Sequence, residues 1–221
     1  MTSQEFRPTE RQGLHAVLLL VLLAITLLLI RLPGMRSGSL AGTGTEVWFA
    51  IALAVPVLQQ LYVALVWRLQ LAYGNQSFRV YLLVFFVLFV LRMMSTIALA
   101  VANAGSLDLA LGVRVAAAAF VSIPALYLFY SVWRYFGFLR AAGADHFDER
   151  YRTMPLVREG IFRYTSNGMY TYGLLALYIP GLITGSAAAL TVALFQHAYV
   201  WVHYWCTELP DLRTIHGGDV A

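Results

Sequence analysis

Four long apolar runs pattern the first two thirds of the chain. They cover residues 14–32, 47–67, 80–103 and 110–138, and charged residues lie largely between them. A bilayer core of about 30 Å requires roughly 20 apolar residues per helix, so each run predicts a membrane-spanning helix. The first run is too long for the core of a signal peptide, and no small-residue cleavage site follows it. We therefore expect it to be retained as a span.

A fifth apolar stretch, residues 169–206, is too long for a single span. Pro180-Gly181 and Gly185-Ser186 lie near its middle, and proline and glycine interrupt regular helices. The stretch therefore predicts a hairpin of two tightly joined helices.

The combined pattern predicts an all-α fold, a polytopic membrane helical bundle of about six spans that includes the C-terminal hairpin. We expect two parts: a four-span bundle over residues 1–138, and a loop, hairpin and tail over residues 139–221.

Composition supports an integral membrane protein. The mean hydropathy is +0.71 and 12% of the residues are charged, whereas soluble domains carry about a quarter charged residues. The single cysteine excludes an internal disulfide. The fifteen basic residues are all arginine and collect between the apolar runs without forming a stripe, so nucleic-acid binding is not expected.

The arginines also predict the topology. With the N-terminus in the cytoplasm, eleven arginines fall on the cytoplasmic side and three on the other, as the positive-inside rule requires. The three on the far side are Arg31, Arg36 and Arg114. Both termini and the loop over residues 139–168 should therefore be cytoplasmic, in the inner membrane if the source is bacterial.

The loop over residues 139–168 is long for a connector and mixes charged residues with aromatic ones. Long ordered loops often carry function, but a solvated linker along the membrane surface would have the same composition. Asp145, His146 and Asp148 resemble metal ligands. No second cluster has zinc-type spacing, so no metal site is expected.

The last helix carries a polar stripe. His197, Trp201, Tyr204 and Glu208 are spaced 0, 4, 7 and 11 and share one helical face. Polar groups on a spanning helix usually face the bundle interior or a wet cavity. Anchoring at the membrane surface would explain Tyr204 and the adjacent Trp205, but it explains His197 and Glu208 poorly.

Polar residues also interrupt two other spans. Arg92 lies near the middle of the third run, where it either grips a lipid phosphate or pairs with an acidic or carbonyl group. Gln59 and Gln60 in the second run suggest hydrogen bonds between helices. "GTGT" at 42–45 follows no strand and should lie on the far side of the membrane, so it is not a phosphate loop.

Three segments of the C-terminal third resemble a known family. They are "GADHF" (143–147), "EGIFRYTSNGMYTYG" (159–173) and, after the hairpin, "HYWCTELPDLRTIHG" (203–217). Their order and spacing resemble the membrane-embedded methyltransferase superfamily, which includes phospholipid N-methyltransferases and isoprenylcysteine carboxyl methyltransferases. The resemblance covers about 75 residues.

The match is closer to the phospholipid enzymes. Glu208 stands at the family's acidic position, and Pro210, Asp211 and Gly217 match the phospholipid-type tail. His216 replaces a usual aromatic residue, and the extension of the isoprenylcysteine enzymes is missing. Before the hairpin, Asn167, Met169 and Tyr170 match the family motif, and Gly168 stands where the motif has proline.

The resemblance implies S-adenosylmethionine as cofactor, bound without a Rossmann fold. The pocket would be built by the hairpin, the segment before it and the tail after it, with Glu208 binding the charged methionyl end. The implied cofactor-binding residues are Arg163, Asn167, Gly168, Met169, Tyr170, His203 and Glu208.

Methyl transfer to an amine needs alignment of donor and acceptor and a group that takes the amine proton. Glu208, His203 on a neighbouring helical face, or Asp145 and His146 from the loop could take the proton, with Tyr204 at the reaction centre. Aromatic rings stabilise a sulfonium or methylated ammonium; the candidates are Tyr164, Tyr170, Tyr204 and Trp205. The substrate residues would also include His197, with Arg92, Arg163 or Arg213 on a lipid phosphate.

The sequence thus predicts N-methylation of the ethanolamine head group of phospholipids. One alternative is carboxyl methylation of a prenylated cysteine or another apolar acceptor. Others are an NADPH-dependent membrane reductase and a haem-bearing or purely structural membrane protein. Haem would need facing histidines, and only His197 lies well inside a span.

Overall fold

Four long helices form most of the molecule, and the computed structural model describes residues 7–216. They are α1 (Gln12–Leu29), α2 (Thr45–Tyr73), α3 (Phe78–Ala102) and α4 (Leu111–Ser131). Within the described residues, these four are long and apolar enough to cross a membrane, α4 being counted with a π-helical turn at its end. The predicted all-α class and the first four spans are confirmed.

Shorter elements connect the long helices. A two-stranded hairpin of β1 (Ser39–Leu40) and β2 (Thr43–Gly44) includes the first three residues of "GTGT". A short strand therefore precedes this segment, and the expectation that it follows no strand is wrong. After α4, the chain forms a series of short helical segments. These are a π-helical turn (Val132–Phe136), α5 (Phe138–Ala141), a 3-10 turn (Ala144–His146), α6 (Glu149–Arg152) and a 3-10 turn (Gly160–Arg163).

The predicted C-terminal hairpin is present, and its first arm is irregular. That arm comprises α7 (Gly168–Tyr172), a 3-10 turn (Gly173–Leu177) and α8 (Tyr178–Thr184). Pro180 lies inside this arm and lacks the N–H that a regular helix needs there. The turn falls at Gly185, whose φ of 68° suits glycine.

The second arm is the regular helix α9 (Ala187–His203), which begins where the Ser186 side chain accepts the N–H of Ala189. A π-helix (Tyr204–Glu208) and α10 (Leu209–His216) continue it. With 17 residues, α9 is slightly shorter than a typical span, so the membrane crossing of the hairpin stays a prediction. The matched tail position Gly217 lies outside the described residues.

Helix α9 is the centre of the packing. It contacts α1, α2, α3 and α8, and the close approach is possible because small residues such as Ala188, Ala189 and Ala193 are fully buried on it. The outer faces of the other helices expose large apolar side chains, including Leu20, Phe120 and Ile123. Such a surface suits lipid rather than water.

The two ends of the bundle are held by different polar networks. At one end Asn103 is buried, donates to the carbonyls of Gly34 and Ser37, and accepts from the hairpin turn at Ser186 and Ala188. At the opposite end, the segment before α1 contacts the end of α2 and the π-helix, and the loop after α4 contacts the start of α10. The latter end carries the family-like segments.

Candidate active site

A cavity of about 500 Å³ lies between α2, α3, α4 and the hairpin. This volume is within the usual range for small-molecule sites. Its wall is mainly apolar and aromatic, with Trp67, Phe85, Phe89 and Met93 among the lining residues. A second groove, of about 610 Å³, lies between α1 and α2 around Phe49. That groove contains none of the family-like residues, so we assign the candidate site to the first cavity.

The cavity opens sideways between α3 and α4. These helices make no extensive contact within the described residues, although each packs against the hairpin. Phe86, Phe89 and Phe129, on the two facing helices, line the cavity and are 42%, 39% and 42% exposed. An apolar molecule in the membrane could therefore enter from the side.

Glu208 and Tyr170 form the polar mouth of the cavity. Both line it, and the Tyr170 hydroxyl donates a hydrogen bond to the Glu208 carboxylate. The rings of Trp201 and Tyr204 hold Tyr170, with centroid separations of 5.9 and 5.4 Å. Burial raises the pKa of Glu208 to about 7, although the Tyr170 hydrogen bond favours the charged form. Glu208 is thus poised to change charge near neutral pH.

A local change of helix type directs Glu208 into the cavity. The N–H of Leu209 bonds to the carbonyl of Tyr204, five residues back, so residues 204–208 form a π-helix instead of continuing α9. Pro210 follows and has no N–H to offer the carbonyl of Cys206. Such π-helical bulges frequently mark functional sites.

His203 is the other polar group at this end of the cavity. Its ring is 2% exposed and lines the cavity. Neither ring nitrogen has a hydrogen-bond partner among residues 7–216. A buried polar group without a partner is destabilising by roughly 1–3 kcal/mol, so His203 is arranged to meet a bound molecule.

Arg92 supplies a positive charge at the inner part of the cavity. It is 7% exposed and donates to the side-chain oxygens of Gln196 and Gln59. Gln196 in turn donates to Thr96 at 3.1 Å. No acidic side chain within the described residues pairs with Arg92. The expected hydrogen bonds between helices are confirmed for Gln59, while the charge of Arg92 stays uncompensated.

His146 and Asp145 lie behind the cavity wall, not on it. His146 is buried and stacks on Trp67 at 3.9 Å, with Nδ1 3.1 Å from Asp145 and Nε2 3.6 Å from Asp211. Burial alone would lower the pKa of His146, but the Asp145 hydrogen bond and the charges of both carboxylates outweigh it and raise the pKa to about 9. Asp145 and His146 therefore do not reach the cavity, because Trp67 lies between, whereas Ala141 and Ala142 of the same loop do line it.

Gly143 explains how the loop approaches so closely. Its φ is 85°, and a side chain there would overlap the indole of Trp67. Only glycine combines this backbone conformation with this contact. Within residues 7–216, no group of three or more histidine, cysteine or acidic residues could hold a metal ion.

The residues before the hairpin lie at the cavity in part. Met169 and Tyr170 line it. Gly168 is buried one residue away, where a Cβ atom would lie 3.3 Å from Ile161 and 3.5 Å from Leu128. The Asn167 carbonyl accepts the N–H of Thr171 at 3.0 Å in the first turn of α7. These residues therefore fix the backbone that carries Tyr170.

Several other candidates lie away from the cavity. Tyr164 is 74% exposed at the end of its short 3-10 turn, and Trp205 is 52% exposed. Trp205 follows His203 by two residues, which is about 200° around a helix, so it points away when His203 points inward. Neither ring lines the cavity, so a role for Tyr164 or Trp205 beside a cation stays a prediction. Phe85 and Phe89, among others, supply the aromatic wall instead.

The remaining candidates occupy the rim or the hairpin interior. Arg163 is exposed and Arg213 is partly exposed on α10, and neither lines the cavity. His197 hydrogen-bonds to the Tyr178 hydroxyl at 3.3 Å inside the hairpin, so it too is separate from the cavity.

The polar stripe of the last helix faces the first hairpin arm. His197 contacts Tyr178, while Trp201, Tyr204 and Glu208 all contact Tyr170. The shared face is confirmed, and it looks into the bundle. The adjacent helical face, which carries His203, lines the cavity. Glu208 contacts Tyr170 and also lines the cavity, because the π-helix changes the direction of its side chain.

Sequence reasoning missed the contribution of α2. Gln59, Val63 and Trp67 all line the cavity, and their spacing of four residues places them on one helical face. That spacing was visible in the sequence, but it did not indicate a site, because a glutamine among apolar residues is also common where helices simply pack together. The phenylalanines of α3 gave no signal, since apolar residues cover its whole circumference.

The described residues form a helical protein with four helices long and apolar enough to cross a membrane, and a mainly apolar cavity with polar groups at one end. Residues 112–219 match the family described as "Phospholipid methyltransferase". This segment, which includes Glu208 and His203, is similar to the phospholipid methyltransferase family, and the resemblance seen in the sequence is confirmed.

A curated relative agrees with this family. The chain is 34% identical over 61 residues to "Phosphatidylethanolamine N-methyltransferase" of Malassezia globosa. The aligned part is 28% of this chain and 6% of the relative, so the chain spans a small fraction of that protein. No solved structure matches the chain.

Proposed function

We propose that the protein is an S-adenosylmethionine-dependent methyltransferase that N-methylates the ethanolamine head group of phospholipids, from phosphatidylethanolamine toward phosphatidylcholine. The observation that carries the proposal is the Tyr170–Glu208 pair at the mouth of a cavity that opens sideways to the membrane. It lies within the segment that matches the family. A cavity polar at one end and open to lipid at its flank suits a water-soluble methyl donor and a lipid acceptor.

The residues at the polar mouth fit the cofactor. S-adenosylmethionine supplies an electrophilic methyl group on a sulfonium. Glu208 would bind its ammonium group, with Tyr170 orienting the carboxylate. Asn167, Gly168 and Met169 would hold the backbone beside it. The aromatic rings of Trp67 and Tyr170 at the cavity favour a cation.

His203 would serve at the reaction centre. Its unpartnered ring nitrogens line the same cavity as Glu208, and a neutral imidazole there can accept a hydrogen bond from the acceptor amine and orient it. Tyr204 supports Tyr170 through ring contact at 5.4 Å. Asp145 and His146 act from behind Trp67, through the electrostatic field that Glu208 experiences.

Arg92 would meet the lipid phosphate from inside the cavity. Gln196, which holds Arg92, precedes Glu208 by twelve residues, or roughly 18 Å along a helix. An ethanolamine head group, with two methylene groups between nitrogen and phosphate, cannot contact both Arg92 and Glu208. The separation therefore leaves room for cofactor and head group together. Arg163 and Arg213 at the rim would attract anionic groups to the entrance.

The two-part organisation and the topology belong to this proposal. The four long helices would provide the membrane bundle over residues 1–138, and residues 139–221 the cofactor and catalytic region. Arg31, Arg36 and Arg114 lie at the end of the bundle opposite Glu208. This separation supports cytoplasmic termini and a cytoplasmic entrance for the cofactor.

Titration calorimetry with S-adenosylhomocysteine tests the proposal. We expect saturable binding to the purified protein, and a loss of about 30-fold or more for Glu208→Ala, because a buried charge pair is broken. Glu159→Ala, at an exposed position in the loop, should bind as the wild type does. Absence of binding in both detergent and lipid nanodiscs would refute the cofactor assignment.

Transfer of a labelled methyl group then identifies the acceptor. Phosphatidylethanolamine and a prenylated cysteine should be offered side by side in nanodiscs. Labelling of the phospholipid alone is expected, whereas labelling of the prenylcysteine alone would replace the proposed acceptor with the carboxyl alternative.

A further inference from the structure

Arg68, near the end of α2, is buried against the segment that carries Glu208. It lies outside the matched residues 112–219 and is 6% exposed. Its Nε lies 2.8 Å from Oδ1 of Asp211, whose side chain is completely buried. Asp211 follows Glu208 by three residues, so Arg68 holds the far side of the π-helix.

Arg68 also reaches the main chain on the near side. One terminal nitrogen donates to the carbonyl of Cys206 at 3.3 Å and to that of Thr207 at 3.4 Å. The other donates to the carbonyls of Arg7 and Pro8 at 2.9 and 3.3 Å. A single guanidinium therefore ties the segment before α1 to the residues on both sides of Glu208.

These hydrogen bonds satisfy main-chain carbonyls that the sequence leaves without a partner inside the helix. Pro210 cannot donate to the carbonyl of Cys206, and a helical carbonyl without a partner must find another donor. The segment around the start of α1 adds two such donors. Arg11 donates to the Trp205 carbonyl at 2.9 Å, and Gln12 donates to that of Cys206 at 3.1 Å. The π-helix is thus satisfied from outside the C-terminal region.

We propose that Arg68 is a positioning residue for methyl transfer, which holds the π-helix through Asp211 and the carbonyls of Cys206 and Thr207 so that Glu208 faces the cavity. Gln12 assists it at Cys206. This inference rests on the proposed function. It makes α1 and α2, which the family match does not include, part of the working site.

The mechanism is geometric. Glu208 is one residue after Thr207 and three before Asp211, and both neighbours are fixed by the same guanidinium. The planar guanidinium can hold a carboxylate and carbonyls in a defined arrangement, which a lysine ammonium cannot reproduce. Without it, the π-helix can return toward a regular helix, which would turn Glu208 away from Tyr170.

The test compares Arg68→Gln with the double variant Arg68→Gln/Asp211→Asn. The single variant leaves Asp211 buried without its cation and should lose thermal stability. The double variant removes both charges and should recover most of the melting temperature, because His146 loses Asp211 but keeps its hydrogen bond with Asp145. If Arg68 positions Glu208, kcat of the double variant stays at least tenfold below the wild type and the KM for S-adenosylmethionine stays raised.

Recovery of both stability and kinetic constants in the double variant would overturn the proposal, because Arg68 would then only balance the charge of Asp211. Wild-type kinetics in Arg68→Gln would overturn it as well. Arg79→Gln, exposed at the start of α3, is the matched control and should behave as the wild type does.

A milder variant keeps the test valid if the Arg68 variants do not fold. Gln12→Ala disturbs no charge and should lower kcat severalfold with little change in melting temperature. Unchanged kcat in a well-folded Gln12→Ala would remove Gln12 from the proposal. If both Arg68 variants also fail to fold, the same result would overturn the assignment of Arg68.

Amide hydrogen exchange separates this inference from the proposed function. Peptides covering residues 204–211 should exchange faster in Arg68→Gln/Asp211→Asn than in the wild type, whether or not the protein transfers methyl groups. Unchanged exchange would refute the positioning role. A wild type that neither binds S-adenosylhomocysteine nor methylates lipid would refute only the proposed function.

Discussion

The two buried arginines differ in what surrounds them. Arg68 faces Asp211 and several main-chain carbonyls. Arg92 faces the side-chain oxygens of Gln59 and Gln196, and no carboxylate pairs with it in the described part of the chain. Both are nearly inaccessible, at 6% and 7% exposure, so burial alone does not distinguish their roles.

The difference indicates which arginine serves the architecture and which serves a ligand. A buried cation with a matched carboxylate is electrostatically complete, whereas one held only by neutral dipoles still attracts an anion. Arg92 also lines the cavity, and Arg68 does not. We therefore expect substitutions at the Arg68 pair to act first on folding, and substitutions at Arg92 to act on substrate.

The largest effect should come from removing the partner of Arg68. Asp211→Ala leaves Arg68 and His146 without their shared carboxylate, and breaking a buried pair typically destabilises a protein by about 3–5 kcal/mol. The free energy of unfolding in detergent measures this. Glu46→Ala, which breaks an exposed pair with Arg36, should change it by no more than about 1 kcal/mol. Equal losses of unfolding free energy in Asp211→Ala and Glu46→Ala would contradict the structural role of the Arg68–Asp211 pair.

The next effect concerns Arg92. Arg92→Met should lower the free energy of unfolding by about 1–3 kcal/mol, because the buried oxygens of Gln59 and Gln196 lose a donor, and by less than Asp211→Ala does, because no buried acid loses its partner. It should raise the KM for phosphatidylethanolamine about 10- to 100-fold, as expected for a lost hydrogen bond to a charged group. Binding of S-adenosylhomocysteine should stay unchanged. A selective loss of that binding would instead place the cofactor at Arg92.

The smallest effect is the pH dependence of cofactor binding. Burial raises the pKa of Glu208 to about 7, so the carboxyl is mostly neutral at pH 6 and mostly ionised at pH 8. Affinity for S-adenosylhomocysteine should therefore increase about tenfold from pH 6 to pH 8. Glu208→Gln should bind weakly at both pH values. A wild type that binds equally at both would exclude Glu208 as the ammonium ligand.

The helical framework was predictable because lipid imposes a simple rule. Apolar runs of sufficient length appear as spans, and α1 to α4 lie close to the predicted bounds. The hairpin turn was also visible, and it falls at Gly185-Ser186, whereas Pro180 is accommodated inside the irregular first arm. Glu208 was recognisable from the sequence because a carboxylate at the end of an apolar helix is unfavourable unless it has a partner or a ligand.

The details of the site depend on contacts that no local pattern reveals. The π-helix arises from Pro210 together with donors nearly 200 residues away, at Arg11 and Gln12. Trp67 separates His146 from the cavity although both residue types suit an active site. Such long-range contacts decide which of several plausible residues face the reaction.

Under the proposed function, the gap between α3 and α4 determines how the protein meets its lipid substrate. A lipid that enters through the phenylalanine-lined opening never crosses water, so its encounter with the site is a two-dimensional diffusion problem. The relevant concentration is then the mole fraction of phosphatidylethanolamine in the bilayer. Adding neutral lipid or detergent at fixed total substrate should slow turnover by dilution within the surface, while changing the bulk volume should leave it unaltered.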